Sequence, residues 1–205
     1  MPSIITHAAV PLALWCAADR GRIPPRLLGA GVIASMLPDA DVLAFALHIP
    51  YADAFGHRGA SHSLLFAGVL AALAAVLASF GSRRPWSAPH SSGSRRPWSA
   101  HVCQPRLAPT MQAAVFIFIC AASHPLLDAM TSGGLGVALA WPWSDHRFFA
   151  PWRPIRVSPF APQFFSARGL ATLLSELRWV WLPLAGAVVA WKLIQPAPAA
   201  PRDPS

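Results

Sequence analysis

The chain has 205 residues, of which 55% are hydrophobic and only 12% are charged, and its mean hydropathy is +0.45. Soluble globular domains typically carry about 25% charged residues. The apolar residues also form runs that are too long and too free of charge for a soluble core. These features exclude an ordinary soluble domain and predict an integral membrane protein.

The 16 Lys and Arg residues outnumber the 8 acidic residues, which gives a net charge of +8. In a soluble protein this excess would suggest nucleic-acid binding. Here the arginines lie between apolar runs, where positive charge usually fixes membrane topology and contacts anionic lipid headgroups. We therefore expect membrane lipids, and not nucleic acid, as partners. The three cysteines form no CxxC pair, which argues against a disulfide framework and against a zinc–thiolate site.

Five apolar runs predict an all-α, multi-pass membrane protein with about four to five membrane helices in a single domain, residues 1–195. The runs cover residues 4–18, 27–49, 64–80, 111–130 and 179–194. The first run could be a signal peptide, but no Lys or Arg precedes it and His7 interrupts it, so we expect a retained helix. Ser61 is expected to cap the third helix.

Three further segments differ in composition from these runs. Residues 81–110 contain SRRPWSA twice, at 82–88 and 94–100, and their Pro, Ser and Arg content predicts a flexible cytoplasmic loop. Residues 131–175 are rich in Gly, Pro and aromatic residues and predict an extramembrane or interfacial segment. The Pro/Ala tail, 196–205, is expected to be disordered.

Asp39 and Asp41 lie inside the second apolar run, directly after Pro38. Residues two apart on an α-helix point in nearly opposite directions, so both carboxylates serve one site only if the helix breaks near Pro38. Broken helices at membrane depth are tolerated where they line a cavity. We therefore predict a break that faces a functional site.

Histidines and a further aspartate occur in comparable places along the chain. His7 lies near the start of the first run, HRGASHS at 57–63 precedes the third, and His124 and Asp128 share one face of the fourth. Threading the runs alternately through a bilayer places all these residues on one side, opposite the arginine-rich loop. The positive-inside rule then places the site on the periplasmic side of an inner membrane. Four arginines would lie on that side against the rule: Arg147, Arg153, Arg156 and Arg168.

Four histidines and three aspartates without a thiolate form a ligand set that suits Zn²⁺, with Mn²⁺ or Fe²⁺ as alternatives. The candidate metal ligands are His7, Asp39, Asp41, His57, His62, His124 and Asp128. Seven candidates predict either a two-metal centre with a bridging carboxylate or one metal with outer His–Asp partners. We expect Asp41, His62 and Arg58 to take part in catalysis, Arg58 by orienting an anionic substrate group.

Each of these residues also has a structural interpretation. His7 could be a hydrogen-bonded packing residue, His62 could cap a helix, and His124 with Asp128 could form an ion pair. A proton-transport path is a further alternative, because carboxylates and imidazoles in membranes also mark such paths.

Five stretches together resemble the YdjM-type family of bacterial inner-membrane, metal-dependent hydrolases. They are MPSIITHAAVPLAL, LPDADVL, HRGASHSLLF, SHPLLDAMTSGG and WPWSDHRFF. The resemblance spans residues 1–160 and implies a multi-pass inner-membrane hydrolase whose metal-associated positions are the seven candidate ligands. Some members of that family are described as LexA-regulated. The order of the ligands is also similar, more loosely, to that of zinc-dependent phospholipase C.

The sequence thus predicts a membrane-bound metal-dependent hydrolase that acts on a phosphoester or lipid-like substrate. The alternative is a non-enzymatic membrane protein, either an ion or proton transporter or an adaptor with a structural metal. Transport predicts ionisable residues distributed over the membrane depth, whereas the candidates here cluster at one face.

Overall fold

A computed structural model describes residues 1–19, 21–81, 108–159 and 163–195. This part of the chain forms seven α-helices and no β-strand. It also contains two isolated β-bridges, which pair Thr131 with Ile155 and Val137 with Phe148. The prediction of an all-α fold is confirmed. The predicted flexible loop, apart from its first residue and its last three, and the predicted disordered tail lie outside the described residues.

The α-helices are α1 Ala9–Ala17, α2 Pro25–Met36, α3 Leu43–Ala46, α4 Leu64–Gly81, α5 Pro109–Ala129, α6 Ala167–Glu176 and α7 Leu182–Ile194. Tighter 3₁₀ segments occupy Ile4–Ala8, Leu37–Val42, Ala60–His62 and Gln163–Phe165, and a π-helical turn at Leu177–Trp181 joins α6 to α7.

Within the described residues, three continuous helical stretches are long and apolar enough to cross a bilayer. They are Pro25–Ala46, Pro109–Ala129 and Ala167–Ile194, and two shorter apolar helices cover Ile4–Ala17 and Leu64–Phe80. All five predicted runs are therefore helical. The last one begins at Ala167 and not at residue 179, so its helix reaches into the final residues of the predicted extramembrane or interfacial segment, 131–175. Polar residues such as Arg168 and Glu176 lower the hydropathy there, although the stretch is still rich in good helix formers.

The second stretch changes its geometry where the break is predicted. α2 ends at Met36, and Leu37–Val42 continue as a 3₁₀ helix before α3. Pro38 has no backbone N–H to donate, and three residues per turn separate positions two apart by about 120° instead of 160°. This tighter winding turns Asp39 and Asp41 toward the same region of the fold.

Small residues let α2, α4 and α5 pack closely around one core. The buried residues of this core are Ala34, Ala67, Phe116, Ile117, Cys120, Ala121 and Ala122. Close approach through small side chains is the usual packing of membrane helices, since lipid gives apolar side chains no reason to cluster. α1 packs against α7, and a second buried apolar cluster consists of Ala9, Ile155 and Val180.

The third apolar helix is capped by a different serine from the one predicted. The hydroxyl of Ser63 accepts a hydrogen bond from the backbone N–H of Phe66 at 3.1 Å, which is the N-cap arrangement for a helix that begins at Leu64. The hydroxyl of Ser61 instead donates to Asp41 at 2.7 Å.

The packing of α2 against α5 can be tested at Gly31. A Cβ atom at this position would collide with the Phe116 ring and lie 3.1 Å from Cys120 Sγ. Gly31→Ala should therefore lower the free energy of unfolding by about 1–3 kcal/mol, because overpacking forces the helices apart. Thermal unfolding of the purified protein in detergent would measure the change.

Gly29 provides the matched control on the same helix, because a Cβ atom there meets nothing within 4 Å. Gly29→Ala should be neutral or stabilising, since alanine is the better helix former by about 1 kcal/mol. Equal melting temperatures for the two variants would contradict this packing.

Candidate metal centre

The seven predicted ligands come from four separate segments and meet in one buried region. His7, His62, His124 and Asp128 have no exposed surface, and Asp39 and His57 are 3% and 2% exposed. The 3₁₀ segment after α2 brings Asp39 and Asp41, the short loop before α4 brings His57 and His62, and the end of α5 brings His124 and Asp128. Buried ionisable groups in a membrane bundle are costly and mark functional sites.

The centre of the region is a group of four residues: Asp39, His62, His124 and Asp128. One nitrogen or oxygen atom from each lies within 4.8 Å of all the others. Nε2 of His124 is 3.4 Å from an oxygen of Asp39, and Nε2 of His62 is 3.4 Å from an oxygen of Asp128. Two ligands at about 2.1 Å from a tetrahedral metal lie about 3.4 Å apart. The spacing of the four donor atoms therefore fits one divalent ion.

The other nitrogen of each histidine is fixed by a partner outside this group. Nδ1 of His124 lies 2.7 Å from the carbonyl oxygen of Ser35, and Nδ1 of His62 lies 3.1 Å from Asp41. Both partners accept hydrogen bonds, so both Nδ1 atoms donate and both Nε2 atoms turn inward. This is the arrangement that orients histidines as metal ligands.

The two inward nitrogens face each other at 3.0 Å. Two lone pairs repel at this distance unless a proton or a cation lies between them. Burial lowers the pKa of His62, but the close contacts with the negatively charged Asp128 and Asp41 outweigh burial and raise that pKa to about 9. The surroundings of His62 thus favour a positive charge at this point.

The two carboxylates of the group are poorly satisfied. Among the described residues, no oxygen of Asp39 or of Asp128 makes a hydrogen bond of good geometry, and Arg58 Nε pairs with one oxygen of Asp128 at 2.9 Å. Buried polar atoms are normally satisfied. When the imidazoles are neutral, this region carries three negative charges, on Asp39, Asp41 and Asp128. It carries one positive charge, on Arg58. One divalent cation balances the formal excess of two negative charges. The donor set therefore fits a metal ion in atoms, spacing and charge.

His7 lies on the far side of both carboxylates. Its Nε2 is 3.7 Å from the second oxygen of Asp39 and 3.7 Å from the second oxygen of Asp128. Its ring stacks on His124 with the ring centroids 3.7 Å apart, and neither ring nitrogen has a hydrogen-bond partner within the described chain. Each carboxylate therefore presents one oxygen to His62 and His124 and the other to His7.

Asp41 and His57 form a second layer behind His62, and their part in holding a metal stays a prediction. Nδ1 of His57 lies 2.6 Å from Asp41, whose other oxygen accepts the backbone N–H of Arg58 at 2.9 Å and the hydroxyl of Ser61 at 2.7 Å. Neither residue belongs to the four-residue group. The reason is the 3₁₀ winding, which turns Asp39 to the centre and Asp41 to the loop that carries His57 and His62. In this position Asp41 orients His62.

Arg58 is fully buried and is engaged at all three nitrogens. Its Nε lies 2.9 Å from Asp128, and its terminal nitrogens donate to the carbonyl oxygen of Gly133 at 3.0 Å and to the hydroxyl of Thr131 at 3.1 Å. Its backbone φ of +63° is uncommon for a residue other than glycine. Arg58 therefore compensates and positions Asp128, and its substrate-orienting role stays a prediction.

Arg147 holds the loop that carries His57 and Arg58. Its guanidinium donates to four backbone carbonyl groups, those of Tyr51, Asp53, His57 and Arg58, at distances between 2.9 and 3.2 Å. The sequence gives it only a topological meaning, as one of four arginines on the wrong side. Its position inside the WPWSDHRFF stretch was the available signal of a role at the site.

Comparisons with known proteins place this chain among inner membrane proteins. The profile of a family described as YdjM inner membrane protein matches residues 1–199. Inner membrane protein YbcI of Escherichia coli K12 is 45% identical over 184 residues, which cover 89% of this chain and 92% of that protein. No solved structure matches the chain.

The placement of Arg58 can be tested at Gly134, which has a φ of +91°. A Cβ atom there would lie 2.6 Å from a terminal nitrogen of Arg58. Gly134→Ala should destabilise the protein by more than the roughly 1–2 kcal/mol that a left-handed conformation costs alanine, because it also displaces the guanidinium that compensates Asp128. Thermal unfolding would measure the loss.

Gly21 is the matched control, with a φ of +79° and nothing within 4 Å of an added Cβ atom. Gly21→Ala reports the backbone cost alone. If Gly134→Ala were no more destabilising than Gly21→Ala, the packing of Arg58 described above would be wrong.

Proposed function

Because the chain belongs to the YdjM inner membrane protein family and gathers Asp39, His62, His124 and Asp128 in one buried group, we propose that it is a membrane-bound, metal-dependent hydrolase. The observation that carries the proposal is that, among the described residues, no oxygen of these two carboxylates makes a hydrogen bond of good geometry and Arg58 pairs with only one of the four oxygens. Acidic oxygens are kept without donors at membrane depth only where a cation compensates them.

Zn²⁺ is the proposed ion, and Mn²⁺ or Fe²⁺ would also accept this donor set. Two imidazole nitrogens and two carboxylate oxygens form a borderline-hard set without a thiolate. A divalent ion held there would lower the pKa of a water molecule and polarise a phosphoryl or acyl oxygen.

The residues around the group would prepare it for this chemistry. Asp41 keeps the Nδ1 proton of His62 turned outward, so that Nε2 stays available to the ion. Arg58 holds one oxygen of Asp128 at 2.9 Å and reduces the repulsion between the carboxylates. These contacts would keep the donor atoms in place before an ion arrives, which is the condition for a precise site.

A phosphoester with an apolar substituent, such as a lipid-like molecule, is the proposed substrate. A cavity of about 330 Å³ lies beside the second layer and is walled by apolar side chains that include Leu37, Phe55 and Phe66. Asp41 and Ser61 supply its polar part. Such a cavity suits a molecule with an apolar chain and a polar group directed toward the centre.

The number of ions is one or two in this proposal. The four-residue group accounts for one ion. The second oxygens of Asp39 and Asp128, together with Nε2 of His7, would hold another between bridging carboxylates, as two-metal hydrolases do.

We place the site on the periplasmic side of the inner membrane. The segments that carry the site are the start of the first apolar helix, the end of the second, the loop before α4 and the end of α5. Helices that alternate across a bilayer put these ends together and put the arginine-rich loop on the other, cytoplasmic side. Regulation by LexA stays an expectation from the family resemblance.

A structural metal in a non-enzymatic membrane adaptor is the second candidate function. The complete burial of His62, His124 and Asp128 favours it, because structural sites are closed whereas catalytic sites keep one position open. Turnover of a substrate separates the two candidates.

Metal analysis of the purified full-length protein tests the proposed centre. After loading with Zn²⁺ and dialysis, wild type should retain one or two ions per chain. Asp39→Ala and His124→Ala should bind Zn²⁺ at least about tenfold more weakly, since loss of even an outer partner of a ligand costs that much. If wild type holds two ions, His7→Ala should hold one ion per chain. If wild type holds one ion, His7→Ala should still hold that ion.

His146 is the control histidine, because it is exposed and stands apart from the four-residue group. His146→Ala should keep the wild-type metal content. The proposal would be contradicted if the wild-type protein retained no Zn²⁺. It would also be contradicted if Asp39→Ala and His124→Ala bound Zn²⁺ with the wild-type affinity.

A screen of chromogenic phosphomonoesters, phosphodiesters and carboxylic esters tests the catalytic part. The Zn²⁺-loaded protein in lipid nanodiscs should hydrolyse a phosphoester, and Asp39→Ala should abolish turnover. Stoichiometric Zn²⁺ with no turnover on any of the three classes, together with loss of the fold on chelation, would favour the structural metal.

A further inference from the structure

Glu176 is the only glutamate in the chain, and it ends α6 inside the stretch Ala167–Ile194 that is long enough to span a membrane. Its side chain is 1% exposed. A buried acidic side chain in a membrane-spanning stretch costs free energy and usually has a function. It lies outside the seven predicted ligands and outside the four-residue group.

Three donors from the N-terminal segment converge on the Glu176 carboxylate. The backbone N–H of Ser3 donates to one oxygen at 2.5 Å, and the hydroxyls of Ser3 and Thr6 donate to the other at 2.6 and 2.7 Å. Hydrogen bonds to a carboxylate belong to the stronger class of hydrogen bond. The last helical stretch is thereby tied to the residues that immediately precede His7.

The π-helical turn that follows Glu176 adds a fourth bond at the same place. Nε1 of Trp181 donates to the hydroxyl of Thr6 at 3.1 Å. π-Helical turns are rare and occur frequently at functional sites. The wider turn of Leu177–Trp181 lets Glu176 and Trp181, five residues apart, reach the same hydroxyl group.

His7 needs this anchor because its own ring makes no hydrogen bond to the described residues. Each of the other two central histidines has a partner on Nδ1 that fixes its ring, as shown above. For His7, only the stacking on His124 and the position of its backbone remain to aim Nε2 at the carboxylates. The backbone position is set one residue earlier, at Thr6.

We propose that Glu176 is a positioning residue for His7, acting through Ser3 and Thr6, and that it replaces the outer partner that the His7 ring lacks. The inference rests on the proposed function, since it assigns His7 a part in holding the metal. It gives the last membrane helix, which carries none of the predicted ligands, an effect on the metal centre through the N-terminal segment.

The experiment measures Zn²⁺ affinity of the full-length protein in detergent for wild type, Glu176→Leu and Glu176→Gln. Glu176→Leu keeps the size and removes both acceptors, and it should weaken Zn²⁺ binding roughly tenfold, as loss of an outer ligand partner does. Glu176→Gln keeps one acceptor oxygen and should recover most of the affinity. Ser175→Ala is the control on the same helix, because the Ser175 hydroxyl contacts Thr172 and Arg156 instead.

A double-mutant cycle separates positioning from a merely structural role. If Glu176 acts through His7, then Glu176→Leu should cause no further loss of affinity in a His7→Ala background. The absorption spectrum of the Co²⁺-loaded protein, which reports the ligand geometry, should change in the same way in Glu176→Leu and in His7→Ala. A general loosening of the fold would instead weaken binding equally in both backgrounds.

The outcomes keep the two proposals apart. A wild-type protein without Zn²⁺ refutes the proposed function and this inference with it. Wild-type Zn²⁺ binding that Glu176→Leu leaves unchanged, or that it weakens equally with and without His7, overturns the inference alone. If Glu176→Leu fails to fold, the Zn²⁺ affinities of Thr6→Ala and Ser175→Ala test the same inference. Thr6→Ala should lose more Zn²⁺ affinity than Ser175→Ala, and equal affinities would overturn the inference.

Discussion

Two buried carboxylates, Asp39 and Asp128, lie close together inside a bundle of membrane helices, and the rest of the structure depends on how their negative charge is compensated. Moving an ionised group from water into such an interior costs several kcal/mol even after the surroundings relax. Arg58 compensates only one oxygen of Asp128. The remaining oxygens are turned toward three imidazoles, two of which have their outer nitrogens already hydrogen-bonded. This is an arrangement that a cation completes.

The distribution of polarity follows from the same requirement. Large side chains with no exposed surface include Arg58, His7, His62 and His124, while apolar side chains such as Leu193 and Phe165 are 80% and 91% exposed. A lipid environment reverses the usual preference, since apolar surface can face the bilayer while every buried polar group needs a partner. Small residues at the α2–α5 contact bring the helices close enough for Ser35 to orient His124.

Sequence patterns predict which residues meet, because the relevant rules are local. The i, i+4 spacing of His124 and Asp128, the break at Pro38 and the alternation of membrane helices are sufficient to bring the polar residues to one end of the bundle. The patterns do not predict which of these residues belong to the four-residue group and which lie in the second layer behind it. Whether Asp41 faces the centre or the loop depends on 3₁₀ winding over Leu37–Val42, and the burial of Arg58 depends on space left by Gly134. The role of Glu176 depends on a contact across 170 residues of sequence, and its one signal was its isolation in an apolar stretch.

The most direct test of the account is the anomalous scattering of crystals grown with Zn²⁺, recorded on both sides of the zinc absorption edge. The account predicts a strong anomalous peak between Nε2 of His62, Nε2 of His124 and the carboxylates of Asp39 and Asp128. Full-length protein crystals with no peak at that point, or with zinc bound only to exposed residues such as His146, would contradict it.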